Sequence, residues 1–271
     1  MNSSENFIHN FDNIDFLPVE NSLKSDILSV DNNVPASFQA PILSEEDFME
    51  ASLIFNDQNS VLPQTALSSD LLNSDLENGV FTVDSTGEFT IDFLFDAGGY
   101  QSELGIFNLT GIENLNPDSD EFIQEAARRA LSNSTNGYIA INDDSEGARF
   151  TGELGESDKN QGDYAGIKTF TMNPGDNFAL MLVPQGKVEE LLNNPAVDNS
   201  KRPLFSLSLA NPDHAIQMMQ LAGPDIFGME DLRLDENSDF DYNDIIFQVK
   251  GAAGKAIYFE DLDNSNDWHE T

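Results

Sequence analysis

The segment IFGMEDLRLDENSDFDYNDIIFQV at residues 226–249 is the most informative part of the chain, because two apolar β-strand patterns flank an acidic loop. The strand patterns cover residues 226–232 and 245–249, and residues 230–244 hold seven carboxylates and two carboxamides. Carboxylates at this density destabilise a fold unless a cation or solvent compensates their repulsion. Calcium takes about six to eight hard oxygen ligands in proteins, so the loop predicts bound Ca2+.

The loop differs from an EF-hand. Counted from Asp235 or from Asp239, its sixth position lacks Gly and its twelfth lacks Glu. An EF-hand needs that Gly for its turn and that Glu as a bidentate ligand. A second interpretation also stays open, in which Asp and Asn side chains form turns and remain in solvent at the end of a hairpin.

Further strand patterns extend outward from this segment and give the fold class. They lie at residues 80–83, 89–95, 103–109, 137–141, 148–154, 166–172, 177–183, 204–209 and 217–221. The turn residues 84–87 predict a hairpin between the first two strands. Residues 120–131 have helical spacing, and residues 188–192 suggest a second short helix. The pattern predicts a mainly β protein, a two-sheet, jelly-roll-like β-sandwich with one or two short helices.

The composition changes along the chain and predicts three regions. Residues 1–78 are rich in Asn, Ser, Asp and Glu, with short apolar groups and one short helix predicted at residues 44–55, so we expect an extended acidic arm. Residues 79–252 form the predicted calcium-binding sandwich. Residues 251–254 read as a linker, and residues 253–271 as an acidic C-terminal tail.

The acidic segment also resembles a known signature. Gly228 to Leu232, then Asp239 to Asp244 and the apolar run at 245–249, are similar to the bacterial family called domain of unknown function 4114. The resemblance continues through GDNFALMLV at residues 175–183. It implies a domain found in secreted or surface proteins. It further implies a metal-binding or catalytic role for the family's acidic positions, which are Glu230, Asp231, Asp239, Asp241, Asn243 and Asp244.

The charge of the chain excludes several classes of protein. The 12 Lys and Arg residues stand against 49 Asp and Glu residues, which gives a net charge of -37. A surface this acidic repels nucleic acid and anionic membranes. Because cysteine is absent, disulfides, thiolate zinc sites and thiol catalysis are excluded. No apolar run approaches the ~20 residues that a membrane-spanning helix needs, so we expect no membrane insertion.

The evidence for catalysis is weaker than that for metal binding. Glu230 with Asp241 or Asp244 could form the carboxylate pair of a glycoside hydrolase, so hydrolase activity stays open, but we expect no enzyme. The three His residues have no partner at metal-ligand spacing. The acidic turns at residues 116–121, 143–146 and 158–163 are interpreted as a helix cap and solvated loops rather than sites.

These observations predict a secreted or cell-surface bacterial protein with a structural or adhesive role. The arm could add a strand to another copy of the chain and build filaments. The first residues lack the pattern of a secretory signal peptide, so leaderless export is expected, with a cytoplasmic calcium buffer as an alternative. A further alternative is a calcium-dependent carbohydrate-binding module of an envelope or matrix polysaccharide. Its candidate stacking residues are Tyr100, Tyr138, Tyr164 and Tyr242.

Overall fold

The computed structural model describes residues 78–154, 156–195, 201–221, 223, 225–235, 238–257, 259–260 and 269–270. Apart from Asn78, the predicted arm lies outside these residues, as does the helix predicted at 44–55. The described chain is mainly β and contains the α-helix α1, Asp120–Ala130. Its strands are β1 Val80–Val83, β2 Glu88–Phe95, β3 Glu103–Asn108, β4 Gly137–Asn142, β5 Glu153–Leu154, β6 Glu156–Ser157, β7 Lys168–Thr171, β8 Asn177–Val183, β9 Leu204–Phe205, β10 Met218–Gln220, β11 Ile226–Met229, β12 Ile245–Lys250, β13 Ala252–Lys255, β14 Phe259–Glu260 and β15 His269–Glu270.

The longer strands form two antiparallel sheets. One has the order β13-β1-β8-β3-β4, with β9 also paired to β8, and the other has the order β10-β11-β12-β2-β7. Phe89 of the second sheet stacks on Phe178 of the first, with ring centroids 4.6 Å apart. Phe227 of the second sheet contacts Phe81 of the first edge-to-face, with ring centroids 5.0 Å apart. The two sheets therefore enclose one aromatic core, which confirms the predicted two-sheet β-sandwich.

The helix α1 covers the outer face of the first sheet. Its apolar side packs Phe122 against Phe107 of β3, with ring centroids 5.9 Å apart. Ser119 caps the helix, because its Oγ accepts a hydrogen bond from the Phe122 amide at 3.2 Å. This geometry confirms that the acidic turn at residues 116–121 is a helix start. The second predicted helix is a 3-10 turn at Val188–Leu192.

The hairpin predicted between β1 and β2 is wrong. β1 pairs with β8 and β13 in one sheet, whereas β2 pairs with β12 and β7 in the other. The turn itself forms, since the Thr86 amide donates to Asp84 Oδ1 at 2.8 Å, but it carries the chain from one sheet to the other. Alternation in sequence identifies a strand and its buried face, and it does not identify the neighbouring strand.

The linker predicted at residues 251–254 is also wrong. β13 pairs antiparallel with β1, from Val80 opposite Lys255 to Val83 opposite Ala252, so the sheet continues past residue 252. A Cβ on Gly254 would lie 2.6 Å from the Phe81 ring. Small residues allow this strand to lie close to the aromatic core, and in the sequence they read as a flexible connection.

Three smaller predictions differ from the structure. Of residues 148–154 only the last two form a strand, paired with β6, and the strand expected at 204–209 ends at Phe205 and gives way to a 3-10 turn at Ser208–Ala210. The predicted tail contributes β13 and the short antiparallel pair β14 and β15. Its other residues from 261 onward lie outside the described part of the chain.

Candidate metal centre

Three loops meet at one end of the sandwich. One loop follows β2, one follows β4, and the third connects β11 to β12. Antiparallel pairing brings the end of β2 beside the start of β12, where the Ala97 amide donates to the Asn243 carbonyl at 3.3 Å. It likewise brings the end of β4 beside the start of β3, where the Asp143 amide donates to the Ser102 carbonyl at 3.1 Å. The acidic segment is therefore surrounded by loops from both sheets.

Glu230, Asp239 and Asp241 form the centre of this region, called the acidic triad below. One carboxylate oxygen from each lies within 4.8 Å of the others. Glu230 is 0% exposed, and its Oε1 accepts a hydrogen bond from the Tyr242 amide at 2.6 Å while its Oε2 accepts one from Ser238 Oγ. Asp239 is exposed and Asp241 is half-buried, so the triad opens toward solvent on one side.

Burial makes the triad costly to ionise. It is the main cause that raises the pKa of Glu230, and the charges of Asp241 and Asp239 raise that pKa further. Burial also raises the pKa of Asp241 to about 7, and the charge of Asp239 is the next cause. Groups of like charge in this arrangement require either a proton or a cation, and three convergent carboxylates are a suitable ligand set for a hard cation.

The backbone of the loop is held in an unusual conformation. Phe240 and Tyr242 adopt the left-handed region, with φ values of 64° and 54°, and they alternate with the two aspartates of the triad. The Tyr242 ring is buried and its hydroxyl donates to the Ile216 carbonyl at 2.8 Å. A Cβ on Gly228 would lie 2.0 Å from the Tyr242 carbonyl oxygen, so the loop requires glycine on β11. Strained, well-anchored backbone of this kind concentrates at functional sites.

The other three predicted site residues lie beside the triad. Asp231 Oδ2 accepts from the Tyr100 amide at 3.0 Å, and Asp244 Oδ2 accepts from the Asp231 amide at 2.8 Å. Burial is the main cause that raises the pKa of both carboxyl groups. Asn243 donates through Nδ2 to the Leu154 carbonyl at 3.0 Å and to Asp241, so it positions the loop.

Sequence reasoning missed two carboxylates at the same end of the sandwich. Asp96 follows β2 and Asp143 follows β4, and each is 1% exposed. The interpretation of residues 143–146 as a solvated turn is therefore wrong for Asp143, and also for Glu146, which is buried and pairs with Lys168. The one available signal was the position of each Asp directly after an apolar strand, since buried strands carry their loops to the edge of the core.

The remaining sequence candidates have structural roles. Asp158 Oδ2 accepts from the Gly152 amide at 2.9 Å. The hydroxyl of Tyr138 donates to the Thr171 carbonyl, and that of Tyr164 donates to Asp92. Tyr242 is buried, so the prediction that it stacks on a sugar is wrong. Tyr100 is half-buried beside Asp231 and stays a candidate for the carbohydrate alternative.

Comparison with known families adds one finding. Residues 172–252 match the family model described as Domain of unknown function (DUF4114). This match confirms the resemblance stated from the sequence. It spans β8 to the start of β13 and includes the acidic triad, whereas β1 to β7, Asp96 and Asp143 precede it. Comparisons with curated proteins and with solved structures gave no match.

No helix in the part of the chain that the structure describes is both long and apolar enough to cross a membrane. Cysteine is absent from the whole sequence.

Proposed function

We propose that residues 78–257 form a calcium-stabilised β-sandwich within a structural or adhesive bacterial protein that acts at the cell surface or outside the cell. The acidic triad carries this proposal, because its three carboxylate oxygens converge and the Tyr242 amide, which follows Asp241, donates to Glu230 within the same group. Calcium is the favoured cation because it accepts irregular sets of oxygen ligands, whereas magnesium demands near-octahedral geometry and keeps its water.

The exposure of Glu230 favours binding over catalysis. A glycoside hydrolase needs two carboxylates that reach the scissile bond of a sugar chain. Glu230 is 0% exposed and both of its oxygens already accept hydrogen bonds within the loop. A polymer substrate cannot reach this carboxylate without displacing Ser238 and the buried Tyr242. We therefore propose a non-enzymatic role.

The composition supports an extracellular setting. A chain with a net charge of -37 and no cysteine needs a means of stabilisation other than disulfides. Extracellular calcium modules bind with dissociation constants of about 10⁻⁴ to 10⁻³ M, which suits the calcium level outside cells. Bound calcium also reduces repulsion between acidic subunits, and this supports self-assembly through residues 1–77 as part of the proposal.

Titration calorimetry of the full-length chain with calcium tests the proposal. We expect saturable binding, with loss of one component in the Asp239→Asn and Asp241→Asn variants. Asp120→Asn is the matched control. Asp120 is exposed at the start of α1, so this substitution makes the same chemical change outside the site. Absence of calcium binding by the native chain, or equal binding by all variants, contradicts the proposal.

A further inference from the structure

A second group of oxygen atoms lies at the same end of the sandwich. Asp96, Ser102 and Asp143 come from the loops after β2, before β3 and after β4, and each is 1% exposed. Both oxygens of Asp96, Oγ of Ser102 and Oδ1 of Asp143 are buried, and with both carboxyl groups ionised no N–H or O–H donor of the described residues reaches them. The fourth carboxylate oxygen, Asp143 Oδ2, accepts a long hydrogen bond from the Ser102 amide at 3.4 Å.

Unpartnered buried carboxylates are exceptional in folded proteins. More than about nine in ten buried polar groups have a partner, and a buried charge without one is strongly destabilising. Asp92 on β2 shows the usual solution in this same sandwich. It is 2% exposed, and it accepts from Arg149 Nη1 at 2.9 Å and from the Tyr164 hydroxyl at 2.5 Å. Among the described residues, N–H and O–H donors reach Asp92, but none reaches the ionised carboxylate of Asp96, four residues further along the chain.

The charges around Asp96 add to the free-energy cost of ionising it. Burial is the main cause that raises its pKa, and the next causes are the carboxylates of Asp143, Asp231 and Asp158. Burial also raises the pKa of Asp143. A cation among these groups would remove their repulsion, and buried carboxylate and hydroxyl oxygens without donors are suitable ligands for it.

A proton shared by Asp96 and Asp143 is the competing explanation. The two carboxyl groups lie close enough to share one. One proton, however, supplies a single hydrogen bond, so an oxygen of Asp96 and the Ser102 Oγ would still have no partner. A cation bound between the two carboxylates would be a partner for several of these oxygens, and a hydroxyl oxygen is a neutral hard ligand of the kind that calcium accepts.

We propose that Asp96, Ser102 and Asp143 bind a second divalent cation, calcium, separate from the cation at the acidic triad. Asp231 is near both positions, since the charges of Asp239 and Asp143 both raise its pKa. The second site shares no residue with the triad. It extends the proposed calcium function and adds ligands from the part of the chain that precedes the family match.

Equilibrium dialysis of the full-length chain against calcium, with metal analysis of the retained protein, tests the second site. The variants are Asp96→Asn, Asp239→Asn, their combination, and Asp120→Asn as control. We expect each single site variant to lose one equivalent of calcium and the combination to lose two. Should Asp96→Asn fail to fold, Ser102→Ala removes one neutral ligand and is expected to weaken the same binding step about tenfold.

Each outcome decides between the two sites. Loss of calcium in Asp239→Asn alone overturns the second site and leaves the triad, and it assigns the Asp96 and Asp143 pair to a shared proton. Loss in Asp96→Asn alone supports the second site and removes the triad from the proposed function. Native stoichiometry and affinity in both variants and in Ser102→Ala overturns both sites.

Discussion

Without calcium, the Asp241→Asn variant should be more stable than the native protein. With calcium bound, the native protein should be the more stable of the two. The oxygens of the triad lie within 4.8 Å of one another. Two unit charges at this distance repel by about 0.9 kcal/mol in bulk water and about 3.5 kcal/mol at an effective dielectric constant of 20. Asp241 is half-buried and faces two carboxylates, so its removal relieves about 2–3 kcal/mol in total.

Part of this gain is lost to hydrogen bonding. Asp241 accepts from both the amide and the side chain of Asn243, and an Asn side chain keeps one of these two bonds at a cost of about 1 kcal/mol. The calcium-free variant should therefore be more stable than the native protein by about 1–2 kcal/mol. For a domain of about 180 residues this raises the melting temperature by roughly 2–8 °C.

Calcium should reverse the order. At about 10 mM calcium, a site with a dissociation constant of about 10⁻⁴ M stabilises the native protein by about 2.7 kcal/mol. This stabilisation corresponds to a rise in melting temperature of roughly 5–11 °C. The Asp241→Asn variant should lose most of that rise, because it lacks one charged ligand. Differential scanning calorimetry at about pH 8, above the Asp241 pKa of about 7, measures both states. A variant that melts below the native protein without calcium, yet keeps the full calcium increase, refutes the reasoning.

Three further predictions follow from other parts of the structure. Gly228→Ala should lower the free energy of chemical unfolding by about 3 kcal/mol, because the new Cβ would lie 2.0 Å from the Tyr242 carbonyl oxygen. Gly99→Ala is the control and should be neutral, because a Cβ at Gly99 meets no atom within 4 Å. Calcium-free protein should lose stability as the pH rises from about 4 to about 7, because the pKa of Asp241 is raised from 3.8 to about 7 and the folded state keeps a proton there that the unfolded state has lost. A melting temperature that rises between these pH values contradicts that sign. Deletion of residues 1–77 should leave a folded, calcium-binding monomer, whereas the full-length chain should assemble in light scattering at millimolar calcium. A monomeric full-length chain contradicts assembly through this region.

The sequence by itself determined the local elements and the centre of the site. Alternating apolar residues define β2 and β12, and the helical spacing with Ser119 before it defines α1. These properties depend on residues that are close in the chain, where backbone geometry fixes which side chains share a face. The acidic triad was predictable for the same reason, because Glu230, Asp239 and Asp241 lie within one loop between two recognisable strands.

Only the tertiary structure decided which strands pair and which carboxylates are buried. β1 and β2 follow one another in the chain and lie in different sheets, because both sheets need strands from distant segments to complete the core. Asp96 and Asp143 each resemble an ordinary turn residue in the sequence. They come together because β2 and β4 end at the same edge of the sandwich, and packing of the two sheets removes solvent from both side chains. Burial and mutual distance arise only when separate segments pack, and they alone turn these two aspartates into a candidate cation site.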